Sequence, residues 1–359
     1  MGSDSSNMFM TNEQRLNALI DNPEPPVIEH VNRPPPPPPQ PVRIVEEHVP
    51  RFEHDDPEMV NYLHEHGYVV VKSVASHEEV TEARGLLWNF LESSCGMKEK
   101  DFDTWTDENM CRIGSTRNGI MNERGVNQSE FLWYCRLLPK VKSAFAKIHN
   151  TADLLTSFDG GNIFRPWHIP LKDSEFAKTN GGWFHVDQGR KLRGLQCVQG
   201  LVSLTDCNAH TGGFCCIPGS HSTHDELMEV TGHGGGNFAV VPGDFPALSK
   251  KQIIPVCRAG DLILWDSRCI HANTPALETP IATERPQLLR MVAYVCMTPR
   301  SLASDAIIAN RIRLFERGYG TGHWPHLMNF EVPEGSSGVI LNFIGKVSPA
   351  QRSLITGEN

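Results

Sequence analysis

Gly181-Gly182-Trp183-Phe184-His185-Val186-Asp187-Gln188 sets an imidazole and a carboxylate two positions apart among aromatic and apolar neighbours. In an extended strand, residues i and i+2 share a face. His185 and Asp187 can therefore converge on one point, and a metal ion suits such a point. A hydrogen-bonded structural pair is the competing reading of this stretch taken alone. A metal would need a third ligand from elsewhere in the chain.

His271 is the candidate, in Gly260-Asp261-Leu262-Ile263-Leu264-Trp265-Asp266-Ser267-Arg268-Cys269-Ile270-His271-Ala272-Asn273. Two histidines and one carboxylate on one side of an ion form the facial triad of non-haem Fe(II) oxygenases. Three ligands leave three open positions, two for a keto acid and one for dioxygen. The far carboxylate of a keto acid needs a cation. Arg290, in the apolar run Leu288-Leu289-Arg290-Met291-Val292-Ala293-Tyr294-Val295, is the better candidate. A lone buried arginine is costly unless paired, and a bidentate carboxylate removes that cost. Arg285, in the turn-like Glu284-Arg285-Pro286, is the alternative.

Around these residues the chain is strand-like. From about residue 152, short apolar runs alternate with Gly, Pro, Asn and Asp: Leu154–Phe158, Gln196–Leu204, Gly213–Ile217, Asp261–Trp265 and Leu289–Met297. That texture predicts an antiparallel sandwich or barrel. The preceding part reads as helical. Asp56-Pro57 opens a helix that Gly67 stops, and Tyr68–Lys72 is a strand. Ser76 and Glu79 form a capping box before Val80, Ala83, Leu87, Phe90 and Leu91, with Gly85 weakening the middle. Ser129 caps a helix through Arg136, and Pro139 opens another with Val141, Ala144, Phe145 and Ile148 inward. The expected division is a proline-rich extension over residues 1–50 and one domain over 51–359. Its β core covers about 152–300 and a C-terminal extension 301–359. Pro34 to Pro39 predicts an extended polyproline segment, either a stiff tail or a docking site for a protein partner.

Composition narrows the class. The chain has 359 residues, 39% hydrophobic and 21% charged, with net charge −9, as expected of a globular protein rather than a nucleic-acid binder. No apolar run is long enough to span a bilayer and no signal-like block follows the N-terminus, so a cytoplasmic location is expected. The ten cysteines contain no CxxC pair and read as buried reduced thiols, not a zinc site. His221 and His224 are further candidate metal ligands, although His221 reads better as a loop brace, and His323 and His326 read as packing or surface residues.

The chain resembles the phytanoyl-CoA dioxygenase family of Fe(II)/2-oxoglutarate-dependent oxygenases. The resemblance rests on His185-Val186-Asp187-Gln188, Thr211-Gly212-Gly213-Phe214-Cys215-Cys216-Ile217-Pro218-Gly219-Ser220-His221, Gly260-Asp261-Leu262 through His271, and Arg290, in that order. HxD alone is weak, but the ordered set is strong, and it covers about residues 57–300. It implies a double-stranded β-helix core, of jelly-roll or cupin-like type, with an α-helical N-terminal part packed on it. It implies iron on His185, Asp187 and His271, and 2-oxoglutarate on Arg290. Dioxygen is the further co-substrate and ascorbate a candidate reductant. Ser157-Phe158-Asp159-Gly160-Gly161-Asn162-Ile163-Phe164-Arg165-Pro166 also looks like members of this family, which makes Asp159, Asn162 and Arg165 pocket candidates, with Trp183 as a wall. Asn273 and Gln188 are candidate contacts to 2-oxoglutarate or substrate, or else structural. The expected reaction is hydroxylation of an unactivated C–H bond of a small-molecule or lipid-like substrate, because Asp187 retains the carboxylate ligand. A β-helix binding protein without catalysis, and an oxygenase acting on a protein, are the alternatives.

Overall fold

A computed structural model describes residues 44–169, 172, 178–232, 236–327 and 347–357. The proline run lies outside them, as does much of the expected C-terminal extension.

The helical signals mark real ends. Helix α1 (Pro57–His66) is capped by the Asp56 side chain, which accepts from the Glu58 N–H, and stops at Gly67 in the left-handed conformation, φ 78°. Helix α2 (His77–Cys95) carries the complete Ser76/Glu79 capping box. Helix α3 (Asp107–Met110) is a single turn. Helices α4 (Glu130–Leu137) and α5 (Pro139–His149) follow, with Ser129 capping the first. Helix α6 (His224–Thr231) sits in the core region, and α7 (Asp305–Glu316) and α8 (Pro349–Thr356) come late in the chain.

Two sheets form the body. One has six strands: β1 (Val45–Glu47), β11 (Ile253–Pro255), β9 (Gly213–Cys216), β13 (His271–Thr274), β7 (His185–Val186) and β10 (Ala239–Val240), in that spatial order. The other has seven: β2 (Arg51–Phe52), β3 (Tyr68–Val71), β12 (Leu262–Asp266), β8 (Val198–Ser203), β14 (Arg290–Tyr294), β6 (Gly161–Phe164) and β4 (Ile120–Met121). A two-stranded sheet joins β15 (Met297–Pro299) to β5 (Leu154–Thr156). The chain passes between the two large sheets from β7 to β8 to β9, and again from β11 through β12 and β13 to β14. This alternation is the double-stranded β-helix, the jelly-roll solution to sheet packing. Residues 45–47, expected in the N-terminal extension, form β1 and pair in parallel with β11.

Strand periodicity explains why β12 is apolar throughout. Leu262 and Leu264 face the helices, in one buried cluster with Val80, Leu87, Phe131 and Phe145. Ile263 and Trp265 face the opposite sheet, in a second cluster with Val70, Phe214, Cys216 and Ile253. A sheet covered on both faces loses the polar-out alternation. Among the described residues no helix is long and apolar enough to cross a membrane.

Candidate metal centre

The register of β13 against β7 sets His271 directly opposite His185. Side chains opposite each other in an antiparallel pair stand on one face, close together, and the two imidazole centroids are 4.3 Å apart. β7 ends at Val186, yet the alternation carries through. Asp187 N–H donates to the Ser267 carbonyl (2.9 Å), and Asp187 Oδ2 comes within 3.6 Å of His185 Nε2 and 3.2 Å of His271 Nε2. Among the described residues, His185, Asp187 and His271 are the group of such side chains whose ligand atoms gather in one place, all within 4.8 Å of one another and all buried.

The second nitrogen of each ring fixes what this point can hold. His185 Nδ1 bonds the Trp183 carbonyl at 3.1 Å, and His271 Nδ1 bonds the Cys269 carbonyl at 2.9 Å. Carbonyls only accept, so both Nδ1 atoms carry the proton and both Nε2 atoms present lone pairs. Two lone pairs and a carboxylate oxygen then face one point, and a divalent cation turns that mutual repulsion into ligation. Burial first, then the neighbouring His185, pushes the His271 imidazolium toward neutrality, the state a ligand needs. Burial alone would raise Asp187. The neighbouring imidazoles, His323 first and then His185, outweigh it and hold the carboxyl well below its usual range. Gln199 Nε2 donates to Asp187 Oδ2 at 3.0 Å and orients the carboxylate.

Arg290 opens β14 and is 3% exposed. Its Nη1 donates to Asn273 Oδ1 at 2.6 Å, and its guanidinium lies 5.1 Å from the centroid of Phe164. Its Nε and Nη2 are buried without a partner. A guanidinium with two open donors matches a carboxylate held in two hydrogen bonds. It lines a narrow pocket together with Leu201, Ser203, Thr205, Cys207, Gly213 and Phe214 among others. Arg285 is exposed in the loop before β14. The donor set thus fits both an iron ion and an acidic co-substrate.

The other candidates divide. Trp183 stacks on His185 (4.7 Å between centroids, 7° between planes), with a buried unpaired Nε1. Asn273 joins Arg290 to the Tyr294 hydroxyl (3.4 Å). Asn162 donates to the Asn118 carbonyl at 2.8 Å and leaves Oδ1 buried and unpaired. Asp159 accepts from the Gly160 N–H at 2.7 Å, and burial pushes its carboxyl up against the opposing influence of His323. Gln188 and Arg165 serve elsewhere. The Gln188 amide accepts from Ser267 Oγ (2.9 Å) and donates to the Gly194 and Leu192 carbonyls, which spends it on bracing the loop after β7. Arg165 is ion-paired with Asp107 and donates to the Trp105 carbonyl, which anchors α3 to β6.

His221 braces as expected, bonding the His64 carbonyl at 3.0 Å, and His224 holds the Gln188 carbonyl at 2.8 Å. His323 departs from the expectation. Its Nε2 is buried without a partner among the described residues, and it acts on both Asp187 and Asp159. Ser203, Thr205 and Tyr294 were not singled out by motif either. Ser203 at the end of β8 with Thr205 two residues on, and Tyr294 on β14 with Arg290, keep a period of two, and that is the signal that points to them.

A family profile described as Phytanoyl-CoA dioxygenase (PhyH) matches residues 63–276. The chain is 29% identical over 288 residues to Ava biosynthesis cluster protein O of Aspergillus versicolor, covering 74% of this chain and 84% of that one. It is similar to the crystal structure of SnoK, a non-heme alpha ketoglutarate dependent carbocyclase from nogalamycin biosynthesis. The identity is 18%, the TM-score 0.47, and the match covers 68% of this chain and 84% of that one. It is also similar to EctD from S. alaskensis with 2-oxoglutarate and 5-hydroxyectoine, at 16% identity and TM-score 0.43, covering 73% of this chain and 82% of that one.

Proposed function

The chain belongs to the phytanoyl-CoA dioxygenase family of Fe(II)- and 2-oxoglutarate-dependent oxygenases, and from that premise we propose that it hydroxylates an unactivated C–H bond of a small molecule. One observation carries the reading: two imidazole lone pairs and a carboxylate face one buried point, beside a guanidinium with open donors. In this reading His185, Asp187 and His271 hold the iron, and Arg290 holds the far carboxylate of 2-oxoglutarate. Iron, 2-oxoglutarate and dioxygen together supply an oxidant strong enough to take hydrogen from carbon, with succinate and carbon dioxide released.

This chain's own residues do the positioning. Asn273 orients Arg290, and Gln199 orients Asp187. The Trp183 and Cys269 carbonyls keep the Nδ1 protons in place, so that both Nε2 atoms face the metal. Trp183 and Phe238, whose ring lies 4.8 Å from His185, form apolar walls that exclude water from that side. Asp159, Asn162 and His323 offer polar contacts to the substrate. The name of the Aspergillus relative supports a biosynthetic small molecule as substrate. We place residues 51–359 in one oxygenase domain. We also place the protein in the cytoplasm, a reading supported by its free cysteines, all buried except Cys111.

Anaerobic addition of Fe(II), then 2-oxoglutarate, tests this without knowledge of the substrate. The expected result is a visible metal-to-ligand charge-transfer band that is lost in His185→Ala. Iron binding without the band refutes the Arg290 assignment. Failure to bind iron refutes the metal centre and leaves a binding protein on a β-helix scaffold.

A further inference from the structure

The pocket that Arg290 lines has a second reactive feature in its wall. Cys207 lines it, 5% exposed, in the turn between β8 and β9. Cys207 pairs with Cys257 in an isolated antiparallel bridge, and the two exchange both backbone hydrogen bonds, at 2.9 and 3.2 Å. Residues paired in this way stand roughly 5.5 Å apart at Cα, within the span a disulfide can close. Cys207 also faces a cation. A Cβ on Gly213 would lie 2.5 Å from Cys207 Sγ and 3.7 Å from Arg290 Nη1, so the thiol and the guanidinium share the space that this glycine leaves open.

We propose that Cys207 and Cys257 are a redox-active thiol pair in the co-substrate pocket, oxidised to a disulfide by hydrogen peroxide and shielded while 2-oxoglutarate is bound. This rests on the reading of Arg290 as the co-substrate anchor. The Cys207 thiolate attacks peroxide; the O–O bond breaks, an S–O bond forms and hydroxide leaves, taking up a proton to become water. The Cys257 sulfur then attacks the sulfenic sulfur; the S–S bond forms and a second water departs with the Cys257 proton. Two thiols and one peroxide become one disulfide and two waters.

Selectivity follows from the surroundings. The hydrogen bond from Cys257, and the Arg290 guanidinium against the effect of burial, hold the Cys207 thiol below its ordinary value, while Cys257 is pushed well above its own. Cys197 and Cys296, with sulfurs 3.2 Å apart, are a second buried pair. Burial and the neighbouring Cys197 push the Cys296 thiol well above its usual range. Proximity without an adjacent cation makes that pair slow. Access in this reading is the co-substrate's own: the opening that admits 2-oxoglutarate to Arg290 also admits peroxide and iodoacetamide to Cys207.

The full chain, loaded anaerobically with Fe(II), is treated with iodoacetamide with and without saturating 2-oxoglutarate. The charge-transfer band is read in the same samples, and each cysteine's rate of alkylation is read by peptide mass mapping. Cys207 should label at least about tenfold faster than Cys197 and Cys296, and 2-oxoglutarate should slow Cys207 alone by about tenfold. In a second arm, metal-free protein is exposed to hydrogen peroxide. A Cys207–Cys257 linked peptide should appear, and Cys257→Ser should instead leave a sulfenic acid at Cys207 that dimedone traps. If the band forms but Cys207 labels no faster than Cys197 and Cys296, or is not protected, the proposal is overturned while the co-substrate reading stands. If the band is absent, the co-substrate reading and the shielding fail together. The peroxide arm decides the thiol pair separately: a chain left fully reduced, or linked only at Cys197–Cys296, overturns it.

Discussion

At the scale of single residues, the site is a matter of which atoms lack partners. Arg290 spends Nη1 on Asn273 and keeps Nε and Nη2 open in a buried pocket. Removing its charge should cost 2-oxoglutarate about a hundredfold in affinity, the usual size of losing one side of a buried charged hydrogen-bond pair. Titration of the charge-transfer band checks this, with iron affinity expected to stay unchanged in Arg290→Ala. Equal affinity for 2-oxoglutarate in the variant would remove Arg290 from the site. Asp187→Ala should abolish turnover and weaken iron binding without unfolding the chain, read by metal content beside circular dichroism. His185, Asp187, His271 and Arg290 were legible in the sequence because each is a polar residue set in an apolar run, where it needs a reason. Gln188 was ambiguous for the same cause. It sits beside the ligands, yet its amide is consumed by Ser267 and two loop carbonyls. Sequence distance does not tell which way a side chain bonds.

At the scale of elements, caps and turns place the strands that carry the site. Asp261, 1% exposed, accepts from Arg51 at 2.9 and 2.7 Å and from the Ser73 and Arg258 N–H groups at 2.9 and 2.8 Å. It therefore locks the start of β12 to its neighbours. Asp266, at the end of that strand, clamps Arg268 and shapes the turn that delivers His271 to β13. Two glycines on consecutive helices should respond in opposite ways. Gly67 holds φ 78°, and a Cβ there would lie 2.5 Å from His221 Nδ1, so Gly67→Ala should destabilise by at least ~1 kcal/mol. Gly85 is exposed inside α2 with nothing within 4 Å of an added Cβ, so Gly85→Ala should stabilise by ~1 kcal/mol. Urea unfolding of the two variants against the parent checks both signs.

At the scale of the whole molecule, late segments close the structure around the β-helix. Arg311, fully buried on α7, donates to the carbonyls of Ile355 and Leu354 near the end of α8, of Pro325, and of Thr156 on β5. One guanidinium thus ties three stretches of chain together, and one of them leads directly from His323. The same region makes the fold acid-sensitive. Burial lowers the His326 pKa to about 4, and His149 is lowered by the same cause. Below the unfolded value near 6.5, the unfolded chain takes up protons that the folded chain refuses. Stability is therefore greatest above that value and falls as pH drops toward 4, by about 3 kcal/mol for His326 alone. Urea midpoints at about pH 7 and about pH 5 should differ in that direction, and His326→Gln should reduce the difference. A midpoint independent of pH would show that these imidazoles are not held neutral by the fold.

The sequence by itself determined the elements and the candidate residues of the centre. Period-two apolar runs, capping residues and glycine stops are local, and the four polar residues of the candidate centre stand out against apolar neighbours. Tertiary structure alone decided what depends on distance across the chain. It set the register of His271 against His185, and it buried Arg290 with open donors while leaving Arg285 exposed. It also turned Gln188 and Arg165 to bracing, brought His323 to the site and faced Cys207 with Cys257 beside the guanidinium. These are contacts between segments far apart in sequence, and no local periodicity encodes a register or the direction of a side chain's last hydrogen bond.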